Sequence, residues 1–357
     1  MVTSLRGFGL AQLLSAILCF GSAAFAQQLQ TWNGSFYNGN KYLSFTMVGT
    51  DPSQTNQTTT IKAYLVPIQV TVTDGSGFAT FDPQPVLQTI EASPLLCGGS
   101  APCSVDFKTP GGIDLGITQY GDAFQRGNFW TTVQPHPDYH ILLQPVEVSE
   151  QHLNVPSTDG GTSIFNGIKV GWILANYANN YFTQTLLPNL ITSGTVKTDG
   201  VVLLLIRDVC LADNTSGCQP PFLAWGDHNY LQLNGYDPQT YAVASYVDDT
   251  GKPGPQDVDV LSHEIGEWID DPFVNNSGCP GGLLEVGDPL VDNGVPSDYQ
   301  YTVNGFTYHL QDLVWLPYFG ETPATSAGGQ FSFQGESLTV CKIPGKRSRT
   351  GDHHNAH

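Results

Sequence analysis

Residues 261–272 read LSHEIGEWIDDP and carry one imidazole and four carboxylates. Within them His263 and Glu267 stand at i and i+4, so one helical turn brings both to the same side. A divalent ion gripped by that pair leaves Glu264, at i+1, beside it to take a proton from water that the ion polarises. That is the chemistry of metal-assisted hydrolysis. It needs a third ligand from elsewhere, and residues 281–289, GGLLEVGDP, offer Glu285 and Asp288 on the chain's return. The alternative is a solvated acidic helix face, with His263 hydrogen-bonded to a neighbour.

The positioning element is a helix expected over 257–270. Pro255 suits a first turn, and Asp257 and Asp259 complement the positive end of the helix dipole. At about 100° per residue, Val258, Leu261, Ile265, Trp268 and Ile269 form one apolar side. His263, Glu264 and Glu267 fall on the other. Pro272 disfavours helical geometry at Asp271 and marks the end.

Around this helix the pattern is strand-rich. Residues 29–75 are β-branched and aromatic between Gly, Asn and Asp. Residues 81–96 contain a short helix, 118–130 a helix interrupted at Gly127, and 139–148 a strand. Residues 176–191 have helical spacing, with Pro188 near the end. The run 200–211, GVVLLLIRDVCL, predicts one continuous buried strand, and 240–251 a strand with one wetter face. After the helix the chain reads as loop and short strand.

Composition restricts the partners. The chain has 13 Lys and Arg against 32 Asp and Glu, a formal net charge of −19, which argues against nucleic acid and anionic membranes. Residues 1–26 have the charged, apolar and small-residue zones of a cleaved signal peptide, and no later run predicts a membrane span. We therefore expect a secreted or periplasmic protein with no membrane insertion. Residues 27–345 read as a single domain and 346–357 as a disordered polar tail. Cys97, Cys103, Cys210, Cys218, Cys279 and Cys341 follow the leader, an even set in an exported chain. The simplest pairing is Cys97–Cys103, Cys210–Cys218 and Cys279–Cys341. A zinc cluster is the rival, disfavoured because no CxxC pair is present.

HEIGE, residues 263–267, resembles the HExxH helix of the zincin metallopeptidases, with Glu267 in place of the second histidine. LSHEIGEWIDDP followed by LLEVGDP resembles a group of exported bacterial proteins, and is more distantly similar to the plant phosphate-induced (exordium-like) secreted proteins. The zincin resemblance implies an α+β fold. It would be a mixed sheet with an active-site helix, a strand-rich N-terminal elaboration and a loop-rich C-terminal part. It also implies an edge strand preceding the helix, a place filled by residues 240–249. It assigns His263, Glu267 and Glu285 as metal ligands and Glu264 as general base. Met47 is the only methionine after the leader, so the methionine turn of the metzincins is absent. One histidine with two carboxylates is a hard, anionic set that zinc fits, with manganese and calcium as competitors.

The other candidates are weaker. His309 and Gln311 share one side of an alternating segment, where His309 is a substitute ligand, an oxyanion donor or a surface histidine. His228 lines a cleft or sits in a turn, and His136 and His140 read as structural. Residues 247–251 and 288–294 have the oxygen-rich chemistry of a structural calcium site. His353, His354 and His357 are tail residues. Two functions follow. One is a metallohydrolase with a peptide or protein substrate. The other is a non-catalytic protein binding cell-surface polysaccharide, with exposed aromatics such as those in LPYFG, residues 316–320, stacking on sugars.

Overall fold

The apolar run that begins at Gly200 forms the central strand Gly200–Arg207. Its side chains alternate between two cores. Val201, Leu203 and Leu205 enter the core that packs under residues 259–270, and Val202, Leu204 and Ile206 enter the core on the opposite face. Burial on both faces explains the unbroken hydrophobicity. This is a computed structural model, describing residues 28–38, 41–99, 103–219, 223–277, 284–291, 298–315, 330–335 and 337–338.

The central strand pairs in parallel with Thr58–Asp74 on one side and Gln239–Tyr246 on the other. Thr58–Asp74 is long enough to pair in turn with His140–Glu147 and Gln151–Asn154, both parallel, and with Gly77–Phe81, antiparallel. Gly226–Leu231 runs antiparallel to Gln239–Tyr246 and is the edge of this seven-stranded sheet. Helices cover both faces. Tyr120–Asn128 and Asp259–Asp270 lie on one, and the helical segment 175–192 on the other. The fold is thus mixed α+β. Among the described residues no helix is long and apolar enough to cross a membrane.

Several elements differ from the sequence-based expectation, each for a local reason. The run 200–211 is two strands rather than one. Asp208 takes a left-handed conformation (φ 50°), and its carboxylate accepts the Asp248 N–H at 2.8 Å. Asp tolerates that conformation better than most residues. The chain then enters a second sheet as Val209–Ala212, parallel to Ile168–Leu174. The 118–130 helix continues through Gly127 and breaks at Phe129 (φ −107°, ψ 30°). The 175–192 segment widens to a π turn at Phe182–Leu186, just before Pro188, which has no N–H to give. Gln239–Tyr246 is not the edge strand, nor has it a wet face. Ala242 and Ala244 lie against one core and Tyr241 and Val243 against the other.

Disulfides join Cys97 to Cys103 and Cys210 to Cys218, as the simplest pairing expects. Cys279 and Cys341 lie outside the described residues, as do the signal segment, the tail and residues 316–320. Asp248 pairs with Arg207 Nη2 at 2.7 Å, and Asp249 accepts the Gly251 N–H at 2.6 Å, so the acids of 247–251 serve local contacts. The 288–294 loop is described only to Val291.

Leu203 is fully buried at the centre of the sheet. Leu203→Ala is expected to cost about 2–5 kcal/mol of stability, read as a lower urea midpoint at unchanged m-value.

Candidate metal centre

The helix begins at Asp259, two residues later than its charge pattern suggests. Asp257 has φ 37°, and its carboxylate accepts the Val258 and His309 N–H groups at 2.5 and 3.0 Å. The apolar side packs as expected. Trp268 is fully buried, and its Nε1 donates to Thr240 Oγ1 at 3.0 Å. The helix Tyr120–Asn128 crosses closely at Gly121, where a Cβ would come within 2.7 Å of Ile269 Cδ1. These contacts fix the rotation of the helix and turn His263, Glu264 and Glu267 toward the edge strand and residues 284–288.

Two groups of potential ligands meet there, sharing Glu267. His263, Glu267 and Asp288 bring ligand atoms within 4.8 Å of one another, and so do His228, Glu264 and Glu267. His263 Nε2 is 3.3 Å from Glu267 Oε1. The other ring nitrogen, Nδ1, hydrogen-bonds Gln311 Oε1. An amide oxygen only accepts, so Nδ1 carries a proton, and Nε2 is the nitrogen turned toward Glu267 and left for a cation once its own proton is displaced. Gln311 is itself anchored. Its N–H donates to Ser262 Oγ at 2.8 Å, and its carbonyl accepts the Tyr120 hydroxyl at 2.6 Å.

Asp288 arrives on a return strapped to the helix. Val286 N–H reaches Glu267 Oε1 at 3.4 Å, and the Val286 carbonyl accepts from Val314 N–H at 2.7 Å. Gly287 allows this approach, since a Cβ there would overlap Gln311 Oε1 and stand 2.5 Å from His263 Nδ1. Of the two acids offered by this segment, Asp288 joins His263. Glu285 is half-buried and belongs to neither group.

His228 is the residue the sequence reading undervalued. It is no turn residue but a buried member of the edge strand. Its Nδ1 is 3.1 Å from Glu267 Oε2 and 3.8 Å from Glu264 Oε2, and its Nε2 is 3.1 Å from the Asp271 carbonyl. The alternation of DHNYL put it on the opposite side from Asp227 and Asn229, a signal of burial that one short strand leaves ambiguous. His309 goes elsewhere: its Nδ1 meets Asp257 Oδ2 at 2.5 Å. His140 pairs with Asp122 at 2.7 Å, a structural role.

The charges are strongly coupled. Burial opposes the His228 imidazolium, but Glu267, with Glu264 and Asp227 behind it, prevails and pushes the pKa up to about 10. His263 is likewise raised, burial being outweighed by Glu267, Glu264 and Asp288. Burial would raise Glu267, yet the two imidazoles hold it well below the usual carboxylate range. Glu264 is pushed up to about 8, chiefly by burial, with Glu267 and Asp227 adding to it against the two histidines. Chemically the centre offers a negative, nitrogen- and oxygen-lined point that a proton or a cation fills.

The chain matches no protein-family model, and no curated protein or solved structure is detectably similar to it.

Two glycines test this packing. Gly287→Ala and Gly226→Ala, the latter pressing on the Glu264 carboxylate, are each expected to cost about 1–3 kcal/mol in chemical denaturation. Gly77→Ala, with only Asp74 O at 3.8 Å, is expected to change stability by less than about 0.5 kcal/mol.

Proposed function

We propose that the chain is an exported, metal-dependent hydrolase of zincin-like build, with a peptide as substrate. The observation that carries this is the convergence of His263, Glu267 and Asp288, with His263 Nδ1 committed to Gln311 so that Nε2 faces the shared point. One imidazole nitrogen and two carboxylate oxygens are a donor set that fits zinc, with manganese or calcium as the oxygen-preferring competitors. A divalent ion bound there supplies Lewis-acid polarisation of a carbonyl and of water. In this reading Asp288 takes the third position that sequence resemblance gave to Glu285.

Glu264 is the proton acceptor. It is buried and lies one residue from His263 on the helix, beside the point where the ligands meet. The substrate class rests on the edge strand. Gly226–Leu231 has a strand partner on one side only among the described residues, and it runs beside the helix that carries the ligands. An extended peptide can add to such an edge through main-chain hydrogen bonds. Export is supported by the leader-like N-terminus and the two disulfides.

A second reading has its own observation. Tyr230 on the edge strand is exposed and packs edge-on against Phe273 with ring centroids 5.7 Å apart, and Tyr236 nearby is exposed too. Such rings stack on sugars, so the same scaffold would bind a cell-surface polysaccharide without hydrolysis.

Glu264→Gln is expected to keep the ion at His263 and to reduce hydrolysis of a peptide library by about 10²–10⁴-fold. Metal analysis beside the activity assay reads both, and unchanged hydrolysis would remove Glu264 from the chemistry. Activity absent from wild-type protein, with Tyr230→Ala weakening retention on polysaccharide, would favour the second reading. Gln311→Leu is expected to weaken metal binding about 10–100-fold, measured by competition with a chromogenic chelator.

A further inference from the structure

We infer that Glu267 bridges two divalent cations, the first held with His263 and Asp288 and the second with His228 and Glu264. The first ion rests on the hydrolase reading above; the second rests on separate geometry.

Each oxygen of Glu267 faces a different imidazole. Oε1 is 3.3 Å from His263 Nε2, and Oε2 is 3.1 Å from His228 Nδ1. The tautomer of His228 follows from its other side. Nε2 lies 3.1 Å from the Asp271 carbonyl oxygen, which can only accept, so Nε2 holds a proton. Without a cation the proton on Nδ1 goes to Glu267 Oε2; a cation that displaces that proton meets the Nδ1 lone pair with Glu267 Oε2 at 3.1 Å and Glu264 Oε2 at 3.8 Å from it.

A proton on Nδ1 would answer Glu267 and leave Glu264 unanswered. Glu264 is 3% exposed, and its Oε2 has no hydrogen-bond partner among the described residues. An unpartnered buried carboxylate oxygen is costly. A cation at the centre serves all three atoms. Metal–ligand bonds of about 2.0–2.2 Å put neighbouring donors roughly 3–3.6 Å apart, a range that holds the 3.1 Å from Nδ1 to Glu267 Oε2 and that the 3.8 Å to Glu264 Oε2 slightly exceeds. The surroundings are shaped for Glu264 as well. Gly226, two residues before His228 on the same face of the edge strand, leaves the room that a Cβ would take from its carboxylate.

The two groups together contain two imidazoles and three carboxylates, with Glu267 counted once. Two divalent ions leave one positive charge over, which a bound anion can neutralise. A carboxylate bridge holds such ions about 3.5–4 Å apart, the separation of hydrolytic two-metal sites. Nitrogen and carboxylate donors suit zinc or manganese at both positions. With the second position filled Glu264 is a ligand, so its role as proton acceptor belongs to the protein that holds the first ion alone.

The test is metal stoichiometry on the exported chain, loaded with manganese and freed of excess, with paramagnetic resonance on the same samples. Two ions per chain and an exchange-coupled manganese signal are expected for the wild type. His228→Gln is expected to bind one ion with an uncoupled signal, and His263→Gln likewise. Wild-type protein with one uncoupled ion, retained in His228→Gln and lost in His263→Gln, overturns the pair and leaves the hydrolase site standing. One ion lost in His228→Gln and kept in His263→Gln overturns both the bridge and the placement of the hydrolase site. No bound ion overturns both readings. The wild-type resonance measurement decides between a pair and a single ion even if a variant fails to fold.

Discussion

A carboxylate clasped between two imidazoles organises this molecule. Glu267 is nearly sealed from solvent, and an isolated charge there would be prohibitively expensive. His228 and His263 make it tolerable, but they come from different elements, one on a strand and one a helical turn away. Their approach requires the strand Gly226–Leu231, the helix Asp259–Asp270 and the return through residues 284–288 to meet within hydrogen-bond reach. Small residues sit where those elements close: Gly226 under Glu264, Gly287 against Gln311 and Gly121 at the helix crossing. Once a bond-length tolerance is imposed at the centre, side-chain volume at those three positions has no freedom left.

The sheet supplies that tolerance. Residues 201–206 and 63–66 send their side chains into the two cores in alternation, so neither strand can slip by one residue without turning a whole apolar set to the wrong layer. The helix is fastened to this frame through Trp268 and Thr240, and Gln311 is fastened to the helix through Ser262. Gln311 therefore orients His263 from a hairpin, Asp298–Val303 with Phe306–Gln311, that lies outside the main sheet. Rigidity at the centre is borrowed from two separate attachments, each of which is itself a hydrogen bond in a buried setting.

The helix was legible in sequence because its signal is local: an apolar side, acids at the start and Pro272 at the end. The pairing Cys210–Cys218 was legible for the same reason of proximity. Features that depended on distant partners were not. Asp208 divides an apolar run because Asp248 N–H is waiting for its carboxylate, and nothing within residues 200–211 announces that. Gln239–Tyr246 alternates in polarity, yet both its faces are covered, Thr240 being bonded to Trp268. Spacing alone offered both Asp288 and Glu285, and the resemblance favoured Glu285. The turn at Gly287 distinguishes them, and it reflects contact with Gln311. His228 needed the edge strand to be recognised before its inward side had any meaning.

That edge strand has a second consequence. The open side of an edge strand is a template on which another copy of the protein can grow, although here the outward Tyr230 N–H is already taken by Asn229 Oδ1 at 2.8 Å. The usual defences are present here. The strand has only six residues, and Asp227 stands exposed upon it. The chain as a whole is strongly acidic. Like charges brought edge to edge repel, more so in dilute salt than in concentrated brine. Colloidal behaviour should thus depend on ionic strength, and crowded copies in a salty medium would lose the protection that electrostatics provides.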